Sequence, residues 1–215
     1  MRTSSTWGAP PSRHYEFLRR LAQTRCNKYD YDLAVLGCAD GKYVLPAARR
    51  GMSVLAVDRD EVALRGGPKP WVEGTVRIQG LVQRLKAERL QGTVAVVNAD
   101  FRTMPPVRCR AVWISGAVQY SCNMPDTAEQ IMHCVLEFVA SGGLLYVDYM
   151  LPYEEKYKGR SNCPAPEWWR VWSRALRGWK THYNRVLRPI KDPAHIEYPV
   201  DHYHQWGHLL LEREL

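Results

Sequence analysis

A short glycine-containing loop followed by an aspartate is the part of the sequence best suited to holding a ligand. The loop, residues 37–41, reads Gly-Cys-Ala-Asp-Gly and follows the apolar run Leu33–Leu36, while Asp58 closes a second apolar run. Small residues let a ligand approach the backbone, and the start of a following helix offers N–H groups to an anionic group. A carboxylate at a strand end can accept hydrogen bonds from both hydroxyls of a ribose. These features predict a site for a nucleoside-containing ligand.

The elements around this loop alternate between strands and helices. Short apolar runs predict strands, and apolar residues at helical spacing predict the helices between them. We expect strands over residues 33–36, 54–58, 93–98, 110–115 and 144–149, and helices over residues 12–26, 43–50, 76–90, 127–139 and 166–176. A turn at residues 141–143 precedes the fifth strand. A last strand over residues 207–213 follows an irregular segment, which favours antiparallel pairing with residues 183–188. The alternation predicts an α/β fold with a mostly parallel sheet.

Composition narrows the class of protein. The 215 residues are 46% hydrophobic and 24% charged, which is typical of a globular protein and excludes intrinsic disorder. No apolar run approaches the length of a membrane span, and the first residues lack the apolar segment of a secretory signal. Six scattered cysteines without a Cys-x-x-Cys pair indicate a reducing compartment and no zinc ribbon. We therefore expect a cytoplasmic protein without a membrane partner.

The net charge does not determine whether the protein binds a nucleic acid. The formal net charge of +8 is compatible with nucleic acid but does not require it, because no block of five like charges occurs. Sequence composition and pattern divide the chain into three parts. These are an N-terminal arm and helix (residues 1–28), a ligand-binding core (residues 29–150) and an aromatic-rich C-terminal segment (residues 151–215).

The glycine loop discriminates between nucleotide-binding motifs. A dinucleotide fingerprint requires a third glycine where Lys42 stands, and a P-loop requires Ser or Thr where Tyr43 stands. The loop instead resembles the first motif of class I S-adenosylmethionine (SAM) dependent methyltransferases, with Ala39 at the middle of three small positions. Asp100-Phe101 after the third strand and residues 112–120 around the fourth strand resemble further parts of that family. The resemblance covers roughly residues 30–150.

The resemblance implies a Rossmann-like, mostly parallel seven-stranded sheet with helices on both faces and an antiparallel last strand. It also implies that SAM is the cofactor. The acid after the third strand would meet the adenine amino group, and its apolar neighbour would line the adenine pocket. The cofactor-binding residues would be Gly37, Cys38, Ala39, Gly41, Asp58, Arg59, Asp100, Phe101 and Ser115.

Residues for the methyl acceptor are expected on the carboxyl side of the strands and in the C-terminal segment. We expect substrate binding by Gln119, Tyr149, Tyr153, Glu154 and Trp168, and catalytic roles for Tyr120, Asp148, His202 and His204. Acids beside aromatic rings favour a cationic amine or guanidine as the substrate.

Several of these residues have structural alternatives. Asp148 suits a hydrogen-bonded core position as well as a substrate contact, and Glu154 suits a solvated helix face. Trp168 fits helix packing. The His-x-His spacing of His202 and His204 puts two imidazoles on one face of a strand, but no third ligand stands nearby, so we expect no metal.

Within the family, the short core is most similar to small-molecule methyltransferases, including the tellurite-resistance type. The sequence therefore predicts methyl transfer to a nitrogen of an antibiotic or other natural-product intermediate, by a monomer or homodimer. Three alternatives remain: an RNA (ribosomal RNA) methyltransferase using the basic surface, a small-molecule O-methyltransferase, and a SAM-binding protein without catalysis.

Overall fold

A computed structural model describes residues 4–71, 74–120, 125–192 and 200–215 of the chain. Strands and helices are numbered along the chain. The strands are β1 (Leu33–Leu36), β2 (Val54–Asp58), β3 (Gly67–Trp71), β4 (Gly74–Ile78), β5 (Val94–Asn98), β6 (Cys109–Ser115), β7 (Val139–Leu151), β8 (Trp179–Val186), β9 (Ile190–Asp192) and β10 (His202–Arg213). The helices are α1 (Ser12–Gln23), α2 (Val44–Ala48), α3 (Glu61–Arg65), α4 (Leu81–Glu88), α5 (Ala117–Tyr120), α6 (Ala128–Leu136) and α7 (Pro166–Ala175).

The central sheet has the strand order β5-β2-β1-β6-β7-β10-β8, and the short β9 pairs with β10. The five strands from β5 to β7 are parallel, whereas β10 runs antiparallel to both β7 and β8. This confirms the predicted mostly parallel sheet with an antiparallel last strand. The chain changes direction across the sheet between β1 and β6, and ligands of open α/β sheets bind at such a point.

Two hydrophobic layers cover the sheet. On one face, Leu18 and Leu21 of α1 join Leu45 of α2 and Leu85 of α4 in a single buried cluster. On the other face, α6 and α7 pack the buried residues Ile131, Val135 and Trp169 against the strands. Thr127 starts α6 with a capping box, in which the Thr127 and Gln130 side chains each bond the other's backbone N–H. The predicted helices on both faces are confirmed.

The prediction of one helix over residues 76–90 is wrong. Residues 67–78 form the separate hairpin β3–β4, and α4 begins only at Leu81. Val76 and Ile78 belong to a strand, although their spacing to Leu81 and Leu85 also fits a helix. A side chain at Gly80 would lie 2.1 Å from the backbone nitrogen of Gly66, so close packing of two backbones separates the hairpin from α4.

The predicted turn at residues 141–143 is also wrong, because β7 continues through it. The pairing between β6 and β7 shifts register there, and Gly142 has a φ of +78°. The three residues therefore form a bulge rather than a turn. The last strand starts at His202, five residues earlier than expected, and pairs with Trp179–Val186. Among the described residues, no helix combines the length and the apolarity that crossing a bilayer requires.

Candidate functional site

A cavity of about 730 Å³ opens at the carboxyl ends of the parallel strands, across the change of direction between β1 and β6. Such a volume lies within the roughly 300–1,000 Å³ typical of ligand sites. We call the part lined from the ends of β1, β2 and β5 the β2 side, and the part lined from β6, β7 and β10 the β7 side. The β2 side includes Gly37, Asp58 and Asp100, and the β7 side includes Ser115, Met150 and Trp206.

The glycine loop fixes the carboxylate of Asp58. Gly37 and Ala39 have φ values of +73° and +46°, and this backbone turns the N–H of Ala39 toward Asp58. Ala39 donates to Oδ2 of Asp58 at 2.7 Å, and Asp60 N–H donates to Oδ1 at 2.8 Å. Burial raises the pKa of Asp58. Since each carboxylate oxygen has a second lone pair, Asp58 can still accept two hydroxyl hydrogen bonds from a ligand in the cavity.

The end of β5 places a second carboxylate on the cavity wall. Asp100 accepts hydrogen bonds from the Arg102 side chain at 3.0 Å (Oδ1) and 2.7 Å (Oδ2), and Arg102 lowers the pKa of Asp100. Arg102 also pairs with Asp126. Phe101 is buried and lines the same wall. Asp100 therefore has fewer unused lone pairs than Asp58, because Arg102 engages both of its oxygens.

Of the other residues predicted to bind the cofactor, two line the cavity and one packs inside the protein. Cys38 and Arg59 line the cavity, and their contact with a cofactor stays a prediction. Gly41 does not line it. A side chain there would lie 2.4 Å from Leu81 and 2.7 Å from Leu45, so this glycine serves the packing of the loop on α4 and α2. The structure thus replaces the expected ligand contact of Gly41 with a packing role.

Ser115 connects the cavity to a polar cluster buried behind it. Its hydroxyl donates to Oδ2 of Asp148 at 3.0 Å and lies 3.2 Å from the hydroxyl of Tyr43. Arg13 of α1 donates to the same Asp148 oxygen at 3.0 Å, and His208 lies 3.4 Å from the other. Burial lowers the pKa of His208. Asp148 does not line the cavity, since these partners enclose it; its position fits the core alternative rather than a catalytic contact.

Two histidines on β10 form a directed hydrogen-bonded pair. Nδ1 of His202 lies 2.9 Å from the carbonyl oxygen of Val200, and the Nε2 atoms of His202 and His204 are 2.8 Å apart. A carbonyl oxygen only accepts, so Nδ1 of His202 is the donor to Val200, and the two Nε2 atoms share one proton. His204 lines the cavity, whereas His202 is buried and is not among the lining residues. No third metal-ligating side chain joins the pair in the described part of the chain.

The short helix α5 contributes two of the expected residues, Gln119 and Tyr120, to the β7 side. Gln119 is only 6% exposed, and neither its Nε2 nor its Oε1 has a hydrogen-bond partner among the described residues. Buried amides are normally bonded, so the lack of a described partner makes Gln119 a candidate for a ligand contact.

Four residues expected at the substrate lie away from the cavity. Tyr149 points to the opposite face of the sheet and stacks on Trp169 at 4.0 Å between ring centroids. Glu154 accepts the backbone N–H of Tyr203, and Tyr153 is exposed. Trp168 stacks on Trp172 of the same helix, as its packing alternative proposed. Successive side chains of a strand point to opposite faces of the sheet, and this alternation along β7 explains why Tyr149 points away from the cavity.

Sequence reasoning missed several cavity residues. Lys42 lines the cavity, and the sequence could have predicted this because Lys42 follows the glycine loop directly. Trp7, Tyr157, Arg160 and Trp206 come from an arm, an irregular segment and the start of β10. No local pattern marks these residues, because only the tertiary fold brings them together.

The carboxylates of the described cavity wall all belong to the β2 side. Asp60 pairs with Lys69, Asp100 with Arg102, and Asp58 with backbone N–H groups. The β7 side instead carries Arg160 and His204, and none of its described residues is acidic. The predicted cationic acceptor would therefore find no carboxylate there within the described chain.

No family model and no curated protein matches the sequence. Solved structures do match the fold. TehB of Haemophilus influenzae has a TM-score of 0.63 and 10% identity over 96% of this chain, which spans 63% of that chain. A SAM-dependent methyltransferase of Thiobacillus denitrificans, in complex with S-adenosylhomocysteine, has a TM-score of 0.58 and 13% identity, covering 96% of this chain and 92% of that one.

A third match, geranyl diphosphate C-methyltransferase of Streptomyces coelicolor, has a TM-score of 0.60 and 16% identity over 94% of this chain and 78% of its own. It too was solved with S-adenosylhomocysteine. The chain therefore has the fold of class I SAM-dependent methyltransferases, and SAM is the cofactor of that fold.

Proposed function

We propose that this chain binds SAM on the β2 side of the cavity and transfers its methyl group to a nitrogen or oxygen atom of a small molecule on the β7 side. An intermediate of natural-product biosynthesis with a nucleophilic nitrogen remains our preferred acceptor. The position of Asp58 carries this proposal: its carboxylate is fixed by two backbone N–H groups at the end of β2 and faces the cavity.

The residues of the β2 side fit an adenosine. Asp58 has lone pairs for both ribose hydroxyls, and Phe101 offers an apolar surface to the adenine ring. Asp100 lies on the same wall, where Arg102 donates to both of its oxygens. Gly37 and Ala39 keep side-chain bulk away from the ligand. When bound, SAM supplies a methyl group that is already electrophilic because its sulfur is cationic. The chain then has to align the two reactants and exclude water.

The β7 side supplies the group that removes a proton from the acceptor. A neutral amine attacks first and loses its proton afterwards, whereas a hydroxyl requires a base during attack. His204 lines the cavity and is our proposed base, and His202 positions it through the contact between their Nε2 atoms. Tyr120 and Gln119 would hold the acceptor beside Ser115.

Calorimetry with S-adenosylhomocysteine tests the cofactor site. Asp58→Ala removes both expected ribose contacts and should weaken binding by about 1.5–3 kcal/mol. Glu61→Gln is the matched control, because Glu61 is exposed on the next helix and pairs only with Arg65 among the described residues. Thermal unfolding of both variants establishes that they are folded. Unchanged affinity in folded Asp58→Ala would remove Asp58 from the site.

A further inference from the structure

Arg160 brings a positive charge to the β7 side. It follows β7 in the segment that leads to α7, and its guanidinium lies 5.1 Å from the centre of the Tyr157 ring. In the described parts of the chain, no carboxylate lies within ion-pair distance of Arg160, unlike Lys69 and Arg102 on the β2 side. Arginine at a cavity wall without a counter-ion is suited to binding a planar anion from a ligand.

Gln119 supports the same conclusion independently. Gln119 lines the cavity, and its buried amide lacks a hydrogen-bond partner among the described residues. Asn162 donates to the carbonyl oxygens of Val118 and Gln119 at 3.2 and 3.3 Å, which ties the Arg160 segment to α5. The guanidinium of Arg160 and the amide of Gln119 are therefore held on neighbouring segments before any ligand arrives.

Flat apolar surfaces complete this part of the wall. Tyr157 and Met150 are buried in one small cluster, against which Trp206 packs. The Tyr157 ring also lies 5.9 Å from the ring of His204. Aromatic walls favour a planar ring in the ligand, because offset and edge-to-face contacts add to the buried area.

We propose that the methyl acceptor is an aromatic carboxylate, whose carboxylate is bound by Arg160 and the Nε2 amide group of Gln119. Its ring lies against Tyr157 and Trp206. The inference rests on the proposed function, because the cationic sulfur of bound SAM would add a further positive charge to the cavity. A cationic acceptor would meet that charge and Arg160 without a described carboxylate on the β7 side, whereas a carboxylate complements both.

Three probes of nearly equal shape test the charge preference. These are 4-hydroxyphenylacetate, its neutral amide and the cationic amine tyramine, each titrated at millimolar concentration into the full chain saturated with S-adenosylhomocysteine. Ligand-observed NMR measures the dissociation constants. We expect the carboxylate to bind about tenfold more tightly than the amide, because a charge-assisted hydrogen bond is the stronger one, and tyramine to bind weakest.

Arg160→Gln should abolish the preference for the carboxylate, Arg160→Lys should keep part of it, and S-adenosylhomocysteine affinity should not change. Lys158→Gln is the matched control, since Lys158 is exposed two residues away and pairs with Glu155. Tighter binding of tyramine, no carboxylate binding at millimolar concentration, or a preference that survives Arg160→Gln would each overturn the inference. Failure of S-adenosylhomocysteine itself to bind would instead contradict the proposed function.

Discussion

His14 is a titratable residue held entirely inside an aromatic cluster. It is fully buried, and its ring lies 4.5 Å from the ring of Trp113 and 5.0 Å from that of Tyr43, measured between centroids. Burial lowers the pKa of His14 from 6.5 to about 3. Desolvation penalises the charged imidazolium, so the folded protein keeps this histidine neutral over the whole neutral range.

His14 should make the stability of the protein depend on pH. Its folded pKa lies below its unfolded pKa, so the unfolded chain binds one more proton as the pH falls below about 6.5. The stabilisation is present above that pH and is lost on acidification, by about 1.4 kcal/mol for each pH unit. In His14→Phe, the slope of the unfolding free energy between about pH 6 and pH 4 should fall by that amount.

Urea denaturation at several pH values measures the slope of the unfolding free energy against pH. At about pH 8 histidine is neutral in both the folded and the unfolded chain, so the difference between the wild type and His14→Phe there gives the packing effect of the substitution alone. An identical pH slope in the wild type and His14→Phe would show that His14 does not resist protonation.

The β2 side was the more predictable part of the site at the residue scale. The loop at residues 37–41 and Asp58 lie next to strands that their own apolar runs reveal, so short sequence patterns determine their positions. Gly41 shows the limit of such patterns: its positive φ is a local property, but its contacts with Leu81 and Leu45 depend on a distant helix. Whether a glycine touches a ligand or another helix follows only from the tertiary fold.

At the scale of elements, the arm before α1 closes the β2 side. The hydroxyl of Ser5 and the N–H of Thr6 donate to the carboxylate of Asp40, both at 2.6 Å. This docking carries Trp7 to the cavity wall, where the ammonium of Lys69 lies 5.5 Å from its ring centre. Lys69 belongs to β3, so the arm and the β3–β4 hairpin meet at this wall.

Trp7→Ala should therefore weaken binding of S-adenosylhomocysteine by about tenfold, which corresponds to about 1.4 kcal/mol. The loss should arise from faster dissociation, because the substitution opens the wall without changing the hydrogen bonds of Asp58. Stopped-flow displacement measures the dissociation rate. Tyr29→Ala serves as the control, since Tyr29 is exposed before β1 and contacts Arg110. A dissociation rate equal to that of the wild type would exclude Trp7 from the wall.

The sequence predicted the buried parallel strands correctly but missed the hairpin β3–β4 and the bulge in β7, and each outcome has a physical reason. Buried parallel strands such as β1 and β2 are continuous apolar runs, so their ends were located correctly. The hairpin β3–β4 was missed because Pro68 and Pro70 are unusual in strands, and a two-stranded ribbon tolerates them on its edges. The bulge in β7 was taken for a turn because Gly142 and Gly143 are typical of both.

At the scale of the whole molecule, the strand order divides the cavity into two chemically different parts. The β2 side collects carboxylates from strand ends that the sequence places early in the chain, and the β7 side collects arginine, histidine and aromatic rings from its last third. The sequence therefore predicted the fold and the carboxylates Asp58 and Asp100 on the β2 side, whereas the residues that line the β7 side depend on how the C-terminal segment folds back across β7.

One buried ion pair connects three parts of this architecture. Arg84 of α4 lies 3.1 Å from Asp40 in the glycine loop, with side-chain exposures of 3% and 0%, and Asp40 also holds the N-terminal arm. Removing one partner leaves a buried charge without compensation. Arg84→Met should thus lower the free energy of unfolding by about 3–5 kcal/mol in urea denaturation.

The exposed pair of Arg65 and Glu61 provides the matched comparison, and Arg65→Met should change the unfolding free energy by less than about 1 kcal/mol. Because Arg84 and Asp40 share one interaction, the double variant Arg84→Met with Asp40→Asn should lose less than the sum of the two single losses. Additive losses, or a loss in Arg84→Met no larger than in Arg65→Met, would show that the arm, the loop and α4 are not coupled through this pair.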